Sequence, residues 1–467
     1  MKQNILTSHP FPNPNSHVSE EIMRYMTDLA GWLVGASEYS SKYHGKIFML
    51  HSNAYWEAAS AGSFLIKFDK ISYTNKLDRE LNIDTQILAT LRWIFDNKEI
   101  CCDDGDEQLY SNAESFPLQK YTCYRWDGNV WNTSCVLQFI FDFLKKNDTD
   151  IPNEITRNEL KQLIYTSLRW IELMFLSNDP KNNPLAQNKY ALYSSNFSKT
   201  LILLLHLSEL ESSTELDVYK KWRDNFIHEI IEKLIEDCKW EDGDKQNMCR
   251  WETYVKTADC GLALAEYYDT NVQIYRTTHH NYQNIHKCLI GTCRWLEEKQ
   301  TSTGTWGSQD DTIRSAHAYL QMGYVLNKYQ SIHLGTHSSV SKTSGYPYII
   351  KPYRIFKALR TLVDAKQYPG DGSIIHTPYL TLFFSEFLLS LYETCQVFFE
   401  KSMYKLYDDV LTHMPLKATK ERGDVLRLKA ENHKYWRELR TARTYRRTLF
   451  ILNFIIGLYA IIGIIIW

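Results

Sequence analysis

The sequence predicts an all-α protein: a closed ring of six helical hairpins, then a charged helical stalk, then one C-terminal transmembrane helix. Three observations carry this. A fragment recurs as Leu91-Arg92-Trp93-Ile94, Leu168-Arg169-Trp170-Ile171, Cys293-Arg294-Trp295-Leu296 and Leu359-Arg360-Thr361-Leu362, each time within helical apolar spacing. Turns rich in Gly, Trp, Asp or Asn follow it and lead into more apolar helices. Finally, Leu449 to Trp467 carries no charge and is long enough to span a hydrocarbon core of roughly 30 Å.

In chain order, residues 1–18 form a polar extension rich in Pro and Asn, without the apolar core of a signal peptide. The ring occupies residues 19–413. Its first hairpin pairs Ser19–Val34 with Ala54–Phe68, and its second pairs Asp84–Asn97 with Asn132–Lys145. The third pairs Glu159–Phe175 with Asn196–Leu210, and the fourth Leu216–Asp237 with Ala258–Tyr268. The fifth pairs Asn284–Gln300 with Asp310–Tyr329, and the sixth Tyr353–Lys366 with Thr377–Phe399.

The first helix of a pair carries charge on one side, as at Lys220, Lys221, Arg223, Glu229 and Glu232. The second is apolar almost all round, as from Thr200 to Leu205. An amphipathic helix belongs outside and an apolar one inside. An open solenoid needs polar capping repeats at its ends, and none is clear, so closure is preferred. The inner-helix N-termini then gather at one end. Long connections tend to be functional, which singles out Cys101–Trp131, Lys239–Thr257 and Tyr329–Pro352. The best-kept turn is Gln300–Thr312. Gly304 and Gly307 flank Trp306, and Ser308 stands three residues before Asp311, as a helix N-cap does.

Residues 414–447 read as a basic juxtamembrane stalk, either a solvated spacer or a partner of anionic headgroups. Residues 448–467 read as a tail anchor in the lipid bilayer. Arg440, Arg443, Arg446 and Arg447 precede it, which places the bulk of the chain on the cytoplasmic side of a single-pass membrane protein.

The net charge of −2 gives no reason to expect a nucleic-acid partner. Ten cysteines are scattered without a C-x-x-C pair or zinc-finger spacing. Buried free thiols in a reducing compartment are expected, and no metal site. Asp103-Asp104-Gly105-Asp106-Glu107 suits either Mg²⁺ against a diphosphate or a solvated acidic loop. No other cofactor is expected. His279-His280, His333 and His337 read as surface residues.

Gln300-x-x-x-Gly304-x-Trp306 resembles the QW repeat of squalene-type cyclases. Through it the chain resembles the terpenoid cyclase and protein prenyltransferase superfamily, whose fold is an α/α toroid. As repeat architecture the resemblance runs from Ser19 to Phe399. Lys366-Gln367 to Ser373-Ile374 is a copy without its Trp, and Arg125 to Trp131 is another variant. Ser308-Gln309-Asp310-Asp311-Thr312 is similar to the Asp-x-Asp-Asp-Thr of class II terpene cyclases, whose middle Asp protonates an alkene or epoxide. The resemblance implies Asp310 as the acid and Asp311 as its neighbour, with Ser308 where the motif has its first Asp. Ala258-Asp259-Cys260 is similar to the Asp-Cys pair of oxidosqualene cyclases and implies Asp259 as an acid, with Gly261 where those enzymes have Thr. His376-Thr377-Pro378-Tyr379 resembles the His-Thr-x-Tyr of prenyltransferase β subunits, where the His binds zinc. Their accompanying Asp-x-Cys is matched only by Asp311-Thr312-Ile313, so no metal site of that type is expected.

An acid in a poorly hydrated aromatic cavity keeps its proton, and ring faces stabilise a carbocation. Trp131, Trp251, Tyr254, Trp306, His376 and Tyr379 are the candidates to bind ligand in such a cavity. The bland roles are equally plain: Asp259 and Asp310 as helix caps or first-turn acids, and the Trp residues as packing between hairpins. Three functions stay open. One is a membrane-anchored toroid that binds or cyclises an isoprenoid or other lipid-like ligand. Another is a carbohydrate-active toroid using Asp259 with Asp310 or Asp311. The third is a non-catalytic toroid that binds a partner and signals through its anchor, as in a bacterial defence or stress system. A polar lining with paired carboxylates favours sugar, and a closed aromatic pocket favours isoprenoid. The oligomeric state is not legible.

Overall fold

Two kinds of helix alternate along the chain, named outer and inner after the patterning of their sequences. The computed structural model describes residues 17–43, 45–48, 55–71, 83–100, 123–127, 129–146, 155–177, 194–207, 217–241, 248–274, 280–329, 351–363, 373–374 and 377–394. All lie in one compact unit, Met1–Lys401. The stalk, the Leu449–Trp467 segment, the Asp103–Glu107 cluster, His333, His337 and His376 lie outside the described residues. Among the described residues no helix is long and apolar enough to cross a membrane.

Twelve helices are described. The outer ones are α1 (His17–Ala36), α3 (Ile83–Asp96), α5 (Arg157–Ser177), α7 (Asp217–Glu236), α9 (His280–Lys299) and α11 (Pro352–Val363). The inner ones are α2 (Tyr55–Ile71), α4 (Val130–Lys145), α6 (Ser194–Leu207), α8 (Tyr254–Ile274), α10 (Gln309–Lys328) and α12 (378–394). The two kinds differ in burial. On α4 every residue from Thr133 to Leu144 except Gln138 is buried, whereas α3 buries one stripe running through Ile83, Ile87, Leu91 and Ile94.

Inner helices pack side by side in chain order, α2 on α4, α4 on α6, α6 on α8 and α8 on α10. His317 Nε2 on α10 lies 2.7 Å from Ser390 Oγ on α12. Trp56 on α2 meets Tyr379 and Phe383 of α12 with ring centroids 5.4 and 6.0 Å apart. Other contacts join helices that are not neighbours in this order, among them Trp131 of α4 with Phe383 of α12, ring centroids 6.3 Å apart. Lys199 of α6 reaches Glu386 of α12 at 2.8 Å, and the Arg314 guanidinium of α10 lies 5.4 Å from the Trp131 ring of α4.

The sequence predicts no strands, yet three antiparallel ribbons sit between outer and inner helices: β1 (Glu38–Ser40) with β2 (Gly45–Ile47), β3 (Glu99–Ile100) with β4 (Tyr124–Arg125), and β5 (Lys239–Glu241) with β6 (Met248–Arg250). Strands of two or three residues are too short to show alternation. The long Lys239–Thr257 connection begins with β5, returns in β6 and ends in the first turn of α8.

One joint recurs at the ends of the inner helices. The buried indoles of Trp126, Trp251 and Trp306 donate Nε1–H to the carbonyls of Ile94, Leu234 and Leu296, near the C-termini of α3, α7 and α9. Those carbonyls lack intrahelical partners or share them, so the indole closes the helix end. Each Trp backbone N–H also donates to a threonine hydroxyl in the first turn of the next inner helix: Thr133, Thr257 or Thr312, at 3.0 to 3.1 Å. The copy without a Trp keeps the second bond, since Ile374 N–H donates to Thr381 Oγ1 at 3.0 Å. In the fifth pair Gly304 has φ +100° and Gly307 φ +57°. A Cβ at Gly304 would lie 2.9 Å from the Lys357 carbonyl oxygen, so both freedom and space demand glycine there.

Candidate functional site

The site follows from where α8, α10 and α12 begin. Ser308 caps α10: its hydroxyl accepts from Asp311 N–H, and the Asp311 carboxylate accepts from Ser308 N–H at 2.9 Å. Asp311 is thus committed to the capping box. Asp310, beside it, is free to point elsewhere. One turn on, Arg314 donates Nε–H to Asp310 Oδ1 at 2.9 Å, an i,i+4 pair.

Arg314 gathers the other elements. Its Nη1 donates to both oxygens of Asp259 on α8, at 3.0 and 3.2 Å. Its Nη2 donates to the Tyr379 hydroxyl on α12 at 2.7 Å, and that hydroxyl donates to Asp310 Oδ2 at 3.0 Å. The guanidinium carbon lies 3.6 Å from the Phe383 ring centroid, close enough for cation–π attraction. Trp56, Trp131 and Tyr379 complete the aromatic wall around Phe383.

Asp259 is expected either as an acid or at a helix start near Ala258. The helix starts at Tyr254, so Asp259 lies in its second turn and its carboxylate goes to Arg314. Its side chain is 11 % exposed, against 22 % for Asp310. Burial pushes the Asp259 carboxyl up to about 6, even though Arg314 and Lys199 pull it down. Burial likewise pushes the Tyr379 hydroxyl up to about 12. Burial alone would lower the Arg314 guanidinium, but the attraction of Asp259 and Asp310 raises it above its ordinary value.

Further along the same helices stands a second tier of charge. Burial opposes the charge on Lys199, but Glu386 holds its ammonium above the ordinary range, while Lys199 in turn holds Glu386 below it. Burial drops the His317 imidazole to about 4. Lys67 pairs with Asp142 at 3.1 Å, and His206 lies 2.9 Å from Glu266. These side chains are on inner helices, yet Lys67 keeps 45 % and Glu386 30 % of its side-chain surface.

Of the residues singled out from sequence, the structure brings together Asp259, Asp310, Trp131 and Tyr379. Asp311 is the cap. Trp251 and Trp306 are core residues whose indole N–H groups close helix ends. Tyr254 packs on Trp295, with centroids 5.0 Å apart. Arg314, Trp56 and Phe383 went unread. The spacing Asp310–Arg314 inside an otherwise apolar stretch is the signal that could have found Arg314, since a buried arginine needs a paired acid.

The seven described cysteines are buried thiols, as expected of them. Three of them, Cys238, Cys249 and Cys288, have sulfurs all within 4.8 Å of one another, an arrangement the sequence spacing did not disclose. No family model, no curated protein and no solved structure matches the chain.

Proposed function

We propose that the described helices form a closed α/α toroid and that it is a non-catalytic binding module, tied to a membrane by Leu449–Trp467 and signalling through that segment. Closure is supported by the neighbour order of the inner helices and by Trp56 meeting α12, which joins the last inner helix to the first. On this reading the Lys199–Glu386 and Arg314–Trp131 contacts cross the axis of the ring.

The observation that carries the function is the state of the carboxylates. Asp259 and Asp310 share Arg314, Glu386 holds Lys199, Asp142 holds Lys67 and Glu266 meets His206. An acid catalyst must present its proton to a substrate, and each of these carboxylates is already engaged by a basic side chain of the protein. The arrangement serves a rigid, charge-paired interior better than proton transfer. Charge along the inner helices also suits an isoprenoid poorly, because such a ligand needs apolar walls. The aromatic rings around Arg314 remain in favour of a ligand there.

A second reading has one observation behind it. Asp259 is pushed up to about 6 and sits with Asp310 in one aromatic-walled cluster. Two carboxyls in unlike environments are what glycoside hydrolysis uses.

The test compares growth on low-level expression of the full chain, of a chain lacking residues 449–467, and of Asp259→Asn and Asp310→Asn. The binding module is expected to slow growth only with its C-terminal segment, and the two Asn variants are expected to behave as the parent. Sugar release or isoprenoid cyclisation by the purified chain that disappears in Asp259→Asn or Asp310→Asn would sink the reading.

A further inference from the structure

The joints of the fold are copies of one another, and at one of them the copied positions are all cysteine. Each joint ties three things: the end of an outer helix, the turn that follows, and the next outer helix. In the fifth pair, Gln300 stands four residues after Leu296, whose carbonyl takes the Trp306 indole, and Gly304 stands two before Trp306. The Gln300 amide bridges them, donating to the Gly304 carbonyl at 3.0 Å and to the Arg354 carbonyl of α11 at 2.9 Å.

The second and fourth pairs can be aligned by the same rule. Lys98 stands four after Ile94, and Cys238 four after Leu234. Tyr124 stands two before Trp126, and Cys249 two before Trp251. The next outer helix supplies Trp170 in one case and Trp295 in the other, each 5.9 Å from the guanidinium of the matching ribbon arginine, Arg125 or Arg250. Seven residues before those tryptophans stand Leu163 and Cys288. In the second pair Lys98 Nζ lies 5.6 Å from the Tyr124 ring, so cation–π attraction does the tying. In the fourth pair the three positions are Cys238, Cys249 and Cys288, all buried.

Neutral thiols tie weakly. The Cys249 thiol donates to the Cys288 carbonyl oxygen at 3.3 Å and lies 3.5 Å from Thr292 Oγ1, and sulfur is a weak partner as donor or acceptor. As thiolates the three sulfurs form a soft ligand set. Zinc–sulfur bonds of about 2.3 Å at tetrahedral angles put ligand sulfurs about 3.8 Å apart. Sulfurs within 4.8 Å reach that with small side-chain shifts. A divalent ion leaves a net charge of −1 with three thiolates, where a monovalent one leaves −2, and burial penalises the larger charge.

We propose that Cys238, Cys249 and Cys288 bind a structural Zn²⁺ that staples the β5–β6 ribbon and the end of α7 to α9. The Thr292 hydroxyl, beside Cys249, puts an oxygen within reach of the fourth position. This site is separate from the Arg314 cluster and is built from other residues than His376 and Asp311, so it stands or falls independently of the proposed function.

The test uses the full chain purified in reductant without added metal, with metal content by elemental analysis and with Co²⁺ substitution read by sulfur-to-cobalt charge-transfer absorption. About one zinc per chain and a thiolate–cobalt band are expected. Cys288→Ser should remove both, and Cys293→Ser, a buried cysteine outside the trio, should keep both. The triple variant Cys238→Lys, Cys249→Tyr, Cys288→Leu copies the second joint; it should fold, hold no metal and lose the sensitivity of its melting temperature to a chelator. If Cys288→Ser does not fold, the triple variant decides. A parent that takes up neither zinc nor cobalt under reducing conditions overturns the proposal. So does stoichiometric copper in place of zinc, or metal retained by the triple variant.

Discussion

The joints at the ends of the outer helices and the Arg314 cluster between the inner helices are built on opposite plans. The joints repeat. Trp126, Trp251 and Trp306 make the same indole bond and the same backbone bond to threonine, three times over. The cluster does not repeat. Asp259, Asp310, Arg314 and Tyr379 each occur once, on three different inner helices, and no other inner-helix position offers the same set among the described residues. Repetition marks what every hairpin needs in order to dock on its neighbour. Singularity marks what the whole assembly does once.

The comparison can be broken hardest at Arg314. Arg314→Leu strands two carboxylates in a partly dry site, and removing one partner of a buried pair typically costs about 3–5 kcal/mol. Chemical denaturation of the full chain is expected to show a loss of that size. A loss below about 1 kcal/mol, the range of an exposed pair, would mean that the cluster is solvated and adds little to stability.

Next come the three indoles. Trp126→Phe, Trp251→Phe and Trp306→Phe each keep the ring volume in part and remove the indole bond to a helix-end carbonyl, at about 0.5–1.5 kcal/mol where that carbonyl keeps another partner, as Leu296 keeps Gln300 N–H, and up to about 3 kcal/mol where it does not. The second and fourth joints have a whole hairpin between them in the chain and share no bonding partner, so the double variant Trp126→Phe, Trp251→Phe is expected to lose the sum of the two single losses. Strongly unequal losses would show that the joints share geometry but not load.

The smallest effect is a pH dependence that separates the two tiers of charge. The Asp259 carboxyl is raised from 3.8 to about 6, so its neutral form is the one the fold prefers. Its contribution is whole below about pH 4 and is lost as pH rises through 6. His317 is lowered from 6.5 to about 4, so its contribution is whole above 6.5 and is lost as pH falls toward 4. The slopes oppose each other between pH 4 and 6. Relative to the parent, Asp259→Asn should make stability rise more steeply with pH across that window, and His317→Asn should make it rise less steeply. Melting temperatures at half-unit pH steps read the difference; parallel curves for all three proteins would remove both groups from the balance.

Much of the helical alternation was legible. Apolar spacing located the twelve helices, and the Leu91, Leu168, Cys293 and Leu359 fragments all fall on outer helices. The Ser308–Asp311 cap was legible because a capping box is local: four consecutive residues settle it. Boundaries were less so. The start of α8 was missed because Tyr254 to Thr257 follow a ribbon that no periodicity announces, and this moved Asp259 from a helix start to a second turn. The site itself was half legible. Family-like fragments drew attention to Asp259 and Asp310, but nothing local says that both carboxylates meet one arginine.

What the sequence determined by itself is therefore whatever repeats or stays within a turn or two of helix: the all-α class, the inner and outer kinds of helix, the QW-like turn and its cap. These depend on neighbours along the chain, which a sequence displays. Only the tertiary structure decided that Arg314 answers Asp259 across 55 positions, and that Cys238, Cys249 and Cys288 converge from a helix end, a ribbon and the next hairpin. Charge pairing and thiol clustering depend on distances in space, which fall steeply over a few ångströms, and those distances exist only after the helices have packed.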